Sequence, residues 1–278
     1  MYIRRNMKIT LKLLTVLLSI SYFLSACKKN NNDQPATIPM VKQLTITFPG
    51  NPPQPSQVDF FYDNLNRVKR VFIYLGDSGV IVPSNDTVCL MDFFYQNNNS
   101  LPSSALIDQR ITHDKKSHQL TYSSNSQVIK DSVIIFLSST TSTYLVSYDY
   151  SGNSIIANTN FPTPGIRDTL IIVNGNFSIY QHSPQKTLYE FDSKPNPLNE
   201  LNIAPIFHVI ANNREPSNPY WSLWSFCNKN NFTKVTFLYN GAVNTTNLLD
   251  YTYNIANLPV KRVWRLYNMI QDTITYKY

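Results

Sequence analysis

Two imidazoles five positions apart, His113 and His118, are the closest this chain comes to a metal-ligand pair, and Lys115 and Lys116 between them oppose a cation. His182 and His208 have no acidic or cysteine companion at ligand spacing. All four histidines therefore read as surface or turn residues, and neither a metal nor another cofactor is expected. Paired carboxylates of the kind that hydrolyse glycosides draw on 17 acidic residues, of which only Glu190, Glu200 and Glu215 are glutamates, none in a recognisable catalytic setting. The cluster Tyr220, Trp221 and Trp224, with Phe226 just beyond, has a different chemistry. Flat aromatic faces seat sugar rings or anchor protein contacts, and they also plug the open end of a curled sheet.

Two short motifs need weighing. Gly76-Asp77-Ser78-Gly79 resembles the nucleophile motif of chymotrypsin-like serine proteases. Their general-base histidine lies well upstream, whereas the first histidine here is His113, so the tetrad suits a hairpin turn better. Asp86-Thr87-Val88, Asp131-Ser132-Val133, Asp168-Thr169-Leu170 and Asp272-Thr273-Ile274 repeat an acid and a hydroxyl before a hydrophobic run. One explanation is that Asp-Ser/Thr opens a strand and bonds local backbone. The other is a resemblance to the O-glycosylation sequon of exported Bacteroidota proteins, which makes Thr87, Ser132, Thr169 and Thr273 candidate modification sites.

The elements that would position these residues are strands. Of 278 residues, 42% are apolar and 15% charged, which excludes a disordered chain, and 32 asparagines accompany 18 tyrosines and 15 phenylalanines. Tyrosine and phenylalanine favour strands and asparagine favours turns. From Gln43 onward, short alternating runs bounded by Asn, Ser, Gly or Pro recur: Leu44 to Phe48, Gln57 to Tyr62, Arg67 to Leu75, Thr87 to Tyr95 and Ser103 to Thr112. Further runs cover Leu145 to Tyr150, Ser154 to Asn158, Thr169 to Val173, Asn176 to Tyr180, Leu249 to Tyr253, Val260 to Leu266 and Thr273 to Tyr278. Asn174-Gly175 between two of them predicts a type I′ turn. Between about 193 and 231 the alternation stops, and Leu201, Ala204, Ile206, Phe207 and Ile210 predict one short amphipathic helix.

The first 26 residues belong to targeting rather than fold. Arg4, Arg5, Lys8 and Lys12 precede the uncharged apolar run Leu13 to Leu24, and Leu24-Ser25-Ala26-Cys27 resembles the lipobox of bacterial lipoprotein signal peptides. That resemblance implies cleavage before Cys27 and lipid attachment to it, with a polar tether over 27–40. Removing the leader leaves 20 basic against 17 acidic residues, so the formal charge of +7 gives no case for nucleic-acid binding. No aspartate follows Cys27 directly, which by known sorting rules implies the outer membrane. Only Asp33 is acidic in the tether, which favours a periplasmic orientation and leaves cell-surface exposure open.

The phrases Phe61-Tyr62-Asp63-Asn64-Leu65-Asn66-Arg67-Val68, Tyr189 to Leu198, Asn228 to Lys234 and Tyr251 to Pro259 are similar to the YD-repeat-like domains of unknown function found in Bacteroidota lipoproteins. The likeness runs from about Val41 to the C-terminus. Asn254 and Asn257 stand where that pattern has aspartate and glycine, and residues 113–140 depart from it. The family implies an antiparallel β-meander, lipid anchoring and no established activity. The expected protein is thus all-β: a large curled antiparallel meander of hairpin repeats in one domain, 41–278, with one short helical insert. In a sheet that adds strands in order, Cys89 and Cys227 are many strands apart, which predicts unbridged thiols. The expected function is non-catalytic: binding of a ligand or envelope partner at the membrane. A glycan-binding accessory lipoprotein of polysaccharide capture, with the Trp221 cluster as platform, is the alternative, and a carboxylate-dependent envelope hydrolase the third possibility.

Overall fold

Period-two alternation governs nearly every residue of the computed structural model, which describes 39–50, 54–75, 87–110, 113–137, 140–159, 166–203 and 228–278. Sixteen strands follow in chain order. They are β1 (Gln43–Phe48), β2 (Gln54–Tyr62), β3 (Val68–Leu75), β4 (Thr87–Phe94), β5 (Ser104–Gln109), β6 (Asp114–Tyr122), β7 (Val128–Phe136) and β8 (Thr141–Ser151). The second half comprises β9 (Ser154–Thr159), β10 (Ile166–Val173), β11 (Asn176–His182), β12 (Gln185–Pro195), β13 (Asn230–Tyr239), β14 (Ala242–Tyr253), β15 (Pro259–Leu266) and β16 (Met269–Lys277). Each pairs antiparallel with its chain neighbours, as the meander predicts. The expected open, curled edge does not exist: β1 pairs with β16, Leu44 opposite Tyr276 and Ile46 opposite Ile274, and closes a barrel. Closure satisfies the backbone groups that two edge strands would leave bare.

The register carries one face continuously around the ring. Ile46 pairs with Ser56, Val58 with Ile73, Ile73 with Cys89, Met91 with Ile107, Ala105 with His118, and Val133 with Tyr144. That face is buried in strand after strand, with Val71, Cys89, Val133 and Leu170 fully enclosed. Only the lumen side of a single closed wall can be shielded by the wall itself, so this face points inward. A round barrel of about 16 strands would hold a water channel. Here opposite walls meet instead, and one apolar cluster runs from Val41 and Leu44 through Met91 and Tyr148 to Leu170 and Ile274. A smaller cluster of Phe232, Val235 and Leu249 fills the β13–β14 side.

One end is closed by a repeated device. Tyr62, Tyr95, Tyr122, Tyr150 and Tyr278 lie at the ends of even-numbered strands. Each donates its hydroxyl to a carbonyl at the start of the preceding strand: Val41, Val68, Pro102, Val128 and Pro259, at 2.5–2.8 Å. Burial pushes the Tyr95 and Tyr150 hydroxyls up to about 12. The turn after the tyrosine is also repeated. The side chains of Asp63, Ser123 and Asn254 each accept from the backbone N–H two and four residues on. Asn66, Ser126 and Asn257 supply the positive φ, at 59°, 61° and 59°. Ser123 and Asn254 thus do the work of Asp63, including in the stretch whose sequence departs from the repeat. Asn174 and Gly175 both have positive φ, 54° and 81°, as the expected type I′ turn requires.

β12 runs to Pro195 and β13 begins at Asn230. Among the described residues there is no helix. Residues 197–203 are turns, with Leu201 inside them, and most of the expected helix lies outside the described residues. Turn chemistry overrides the apolar spacing here: Asn196 Oδ1 accepts from Leu198 N. This strap leaves β12 and reaches the opposite wall, eight strands round the ring. There Asn202 Oδ1 accepts from Val68 N at 2.9 Å, and its Nδ2 donates to Tyr95 Oη and the Ser100 carbonyl. Leu198, Leu201 and Ile203 join the core from above.

Candidate functional site

The opposite end keeps an opening. Between β11 and β14 a cavity of about 440 Å³ is lined by Tyr180, Gln185, Thr187, Tyr189, Phe237, Tyr239 and Thr245, all on the inward face by register, together with Lys186, Leu238 and Asn244. Two local features shape it. The Asn240-Gly241 turn, with φ of 49° and 79°, joins β13 and β14 tightly. A register shift between Phe237 and Leu238 leaves Asn244 as an extra residue, so Thr245 rather than Asn244 faces Phe237. Phe237 and Tyr239 stay 37% and 53% exposed, which for large rings on an inward face marks a mouth that the wall does not fill. One step deeper on β14, Asn247 is buried, and its Oδ1 has no hydrogen-bond partner, nor does the buried Thr245 Oγ1.

The lumen also holds charges. His118 Nδ1 and Asp131 Oδ2 lie 2.8 Å apart with both side chains fully enclosed. Asp168 pairs with His182. Arg262 Nη2 donates to both carboxylate oxygens of Asp272, at 3.0 and 3.1 Å. Burial works against the Arg262 charge, but Asp272 and the neighbouring Tyr251 and Tyr276 hold its pKa above the ordinary value. Tyr148 sits in the field of both Asp131 and Asp168, and burial first, then those carboxylates, push its hydroxyl well above the usual range.

These pairs revise the Asp-Ser/Thr-aliphatic motif. Asp131, Asp168 and Asp272 do not open strands; they lie inside β7, β10 and β16 and point into the lumen, each toward a base on the adjacent strand. Alternation then places Ser132, Thr169 and Thr273 on the outer wall, half-buried among their neighbours. Thr87 begins β4, and Asp86 is outside the described residues. His118, expected at the surface, is instead a core residue, whereas His113 does lie exposed in a turn with φ of 60°. Cys89 is buried on the inward face of β4. Cys27, Tyr220, Trp221, Trp224, Cys227, His208 and Gly76 to Gly79 lie outside the described residues. The mouth aromatics were not singled out from sequence. Their signal was Phe237-Leu238-Tyr239 running into Asn240-Gly241, two rings on one face at the end of a strand.

Fold and lumen together define a closed, meander-ordered antiparallel barrel with a filled interior. No family model and no curated protein matches the chain. Among solved structures it is similar to a porin-like protein from Bacteroides vulgatus ATCC 8482, with a TM-score of 0.50 at 11% identity over 86% of this chain and 98% of that one. A porin-like protein from Bacteroides uniformis ATCC 8492 matches with a TM-score of 0.40 at 8% identity, over 85% and 97%. At such identity the first likeness is one of fold. The outer face mixes exposed apolar side chains, such as Phe61, Phe94 and Ile129, with charged ones. It bears ion pairs around the ring: Arg70–Asp92, Lys115–Asp108, Lys234–Glu190 and Arg265–Asp250, at 2.5–3.3 Å.

Proposed function

We propose that the chain is a non-catalytic binding barrel of the bacterial cell envelope, tethered to the outer membrane by lipid on Cys27 and facing the periplasm. The observation that carries the binding half is the aromatic mouth, an unfilled cavity beside the packed apolar core of the lumen. The chain enters β1 at the strapped end, opposite the mouth, where Lys42 N bonds the Lys277 carbonyl. No carboxylate is among the described residues lining the cavity, so a two-carboxylate hydrolase has no pair to use there.

Cys27→Ala should move the protein from the membrane fraction to the soluble one. Persistence on membranes after a carbonate wash would reject the lipid anchor. Mass spectrometry of the native material reads the same lipid, and also reads glycan mass at Thr87, Ser132, Thr169 and Thr273. Binding is tested on the released Cys27→Ala chain with phenylnaphthylamine, a neutral apolar fluorophore. Its emission should rise with the protein, and Tyr239→Ala should abolish most of that rise. Equal emission from both chains would place binding elsewhere.

A further inference from the structure

We infer that the mouth cavity takes a neutral saccharide, a pyranose ring seated on its aromatic wall with hydroxyls directed inward. This deepens the proposed binding role and depends on it. Three independent features converge on that ligand class.

The first is the pairing of surfaces. Tyr180, Tyr189, Phe237 and Tyr239 offer apolar ring area, while Gln185 and Thr187 stand beside them on the same inward face. A sugar ring has the matching two-sidedness, with C–H patches on its faces and hydroxyls on its rim. The second is unmet hydrogen bonding. Thr245, in the cavity lining, carries an enclosed Oγ1 that has no partner, and buried polar groups are rarely left so. An unmade bond to a buried group costs about 1–3 kcal/mol, so a ligand whose hydroxyl meets Oγ1 on a turn of the threonine side chain gains what an apolar one cannot. The third is charge. Lys186 is the one charged residue among the described lining, and it pairs with Leu238 on the outward face, so no charged side chain of the inward lining selects an anion or a cation. The volume, about 440 Å³, falls in the range of roughly 300–1,000 Å³ typical of ligand pockets.

The test uses native lipoprotein in a polyoxyethylene detergent, titrated calorimetrically with maltotriose, cellotriose, mannotriose and chitotriose, and with trigalacturonate as an anionic comparison. At least one neutral trisaccharide should bind. Tyr239→Ala, which removes a half-exposed ring, should weaken it about tenfold or more. Thr245→Val keeps the shape and removes only the hydroxyl, and it should also weaken binding. Tighter binding of trigalacturonate, or affinity unchanged in both variants, would overturn the assignment. If no saccharide binds while phenylnaphthylamine still reports Tyr239, the saccharide is wrong and the binding barrel stands. Silence from every probe removes both.

Discussion

Asp272→Ala is expected to destabilise the barrel by about 3–5 kcal/mol, the range for removing one partner of a buried ion pair. Arg262 and Asp272 are 1% and 3% exposed, in the middle of β15 and β16, the strands next to the closing seam with β1. Loss of the carboxylate leaves a guanidinium that cannot shed its charge, and Arg262 Nε already has no partner. The same change at Asp250, whose pair with Arg265 is exposed on the outer wall, should cost no more than about 1 kcal/mol. Replacing both lumen residues, as Arg262→Met with Asp272→Leu, should recover most of the loss, because no unpaired charge remains. Urea midpoints of the four chains measure this. An Asp272→Ala loss as small as that of Asp250→Ala would mean that water reaches Arg262 and that the lumen is wetter than its burial shows.

What made this pair hard to see is instructive. Asp272-Thr273 was legible as a motif, and so was the alternation of the surrounding strand. The conclusion available from both was that acid and hydroxyl face opposite sides. What one sequence could not supply was which side is the lumen. In a meander both faces of a strand carry apolar residues: β7 has Val133 inside and Ile134 outside. β6 shows the limit most sharply. Lys116 and His118 look like a solvated strand, yet they occupy the inward face with Leu120, and Asp131 on β7 answers His118. The partner that makes a buried charge tolerable is thirteen residues away and invisible to local pattern.

Strand existence was far more legible than closure. Leu44-Thr45-Ile46 and Phe60-Phe61-Tyr62 announce alternation, Asp63 to Asn66 falls between two such runs, and Asn174-Gly175 announces a turn whose φ signs the structure bears out. Closure depends on pairing Leu44 with Tyr276 across the whole chain. The first and last strands carry no local mark of it, since both look like ordinary inner strands. The lack in β1 of the charges or bulges that blunt exposed edges was the available hint. The binding mouth was missed for a related reason: its rings come from β11, β12 and β13, and only the strand order and register bring them together.

Ile203→Ala should cost about 2–5 kcal/mol although the residue belongs to no strand, because it is fully enclosed in the main apolar cluster. The strap that carries it rises from β12 and meets β3 and β4 on the far wall, and among the described residues its three apolar side chains, Leu198, Leu201 and Ile203, cover the core at that end. Emptying one of them opens a cavity that the surrounding strands, held by their ladders, can only partly collapse to fill. Asn202→Ala attacks the same strap differently: Val68 N loses its acceptor and Tyr95 its neighbour, for about 1–3 kcal/mol. The two changes should separate in hydrogen exchange. Asn202→Ala should raise exchange of the Val68 amide selectively, whereas Ile203→Ala should lower the urea midpoint and shift protection across β1 to β10 together. Val243→Ala, on the exposed rim of the mouth, is the control and should shift the midpoint little. If Ile203→Ala behaves like that control, the strap is a surface loop rather than a cap, and the strapped end is as open as the mouth.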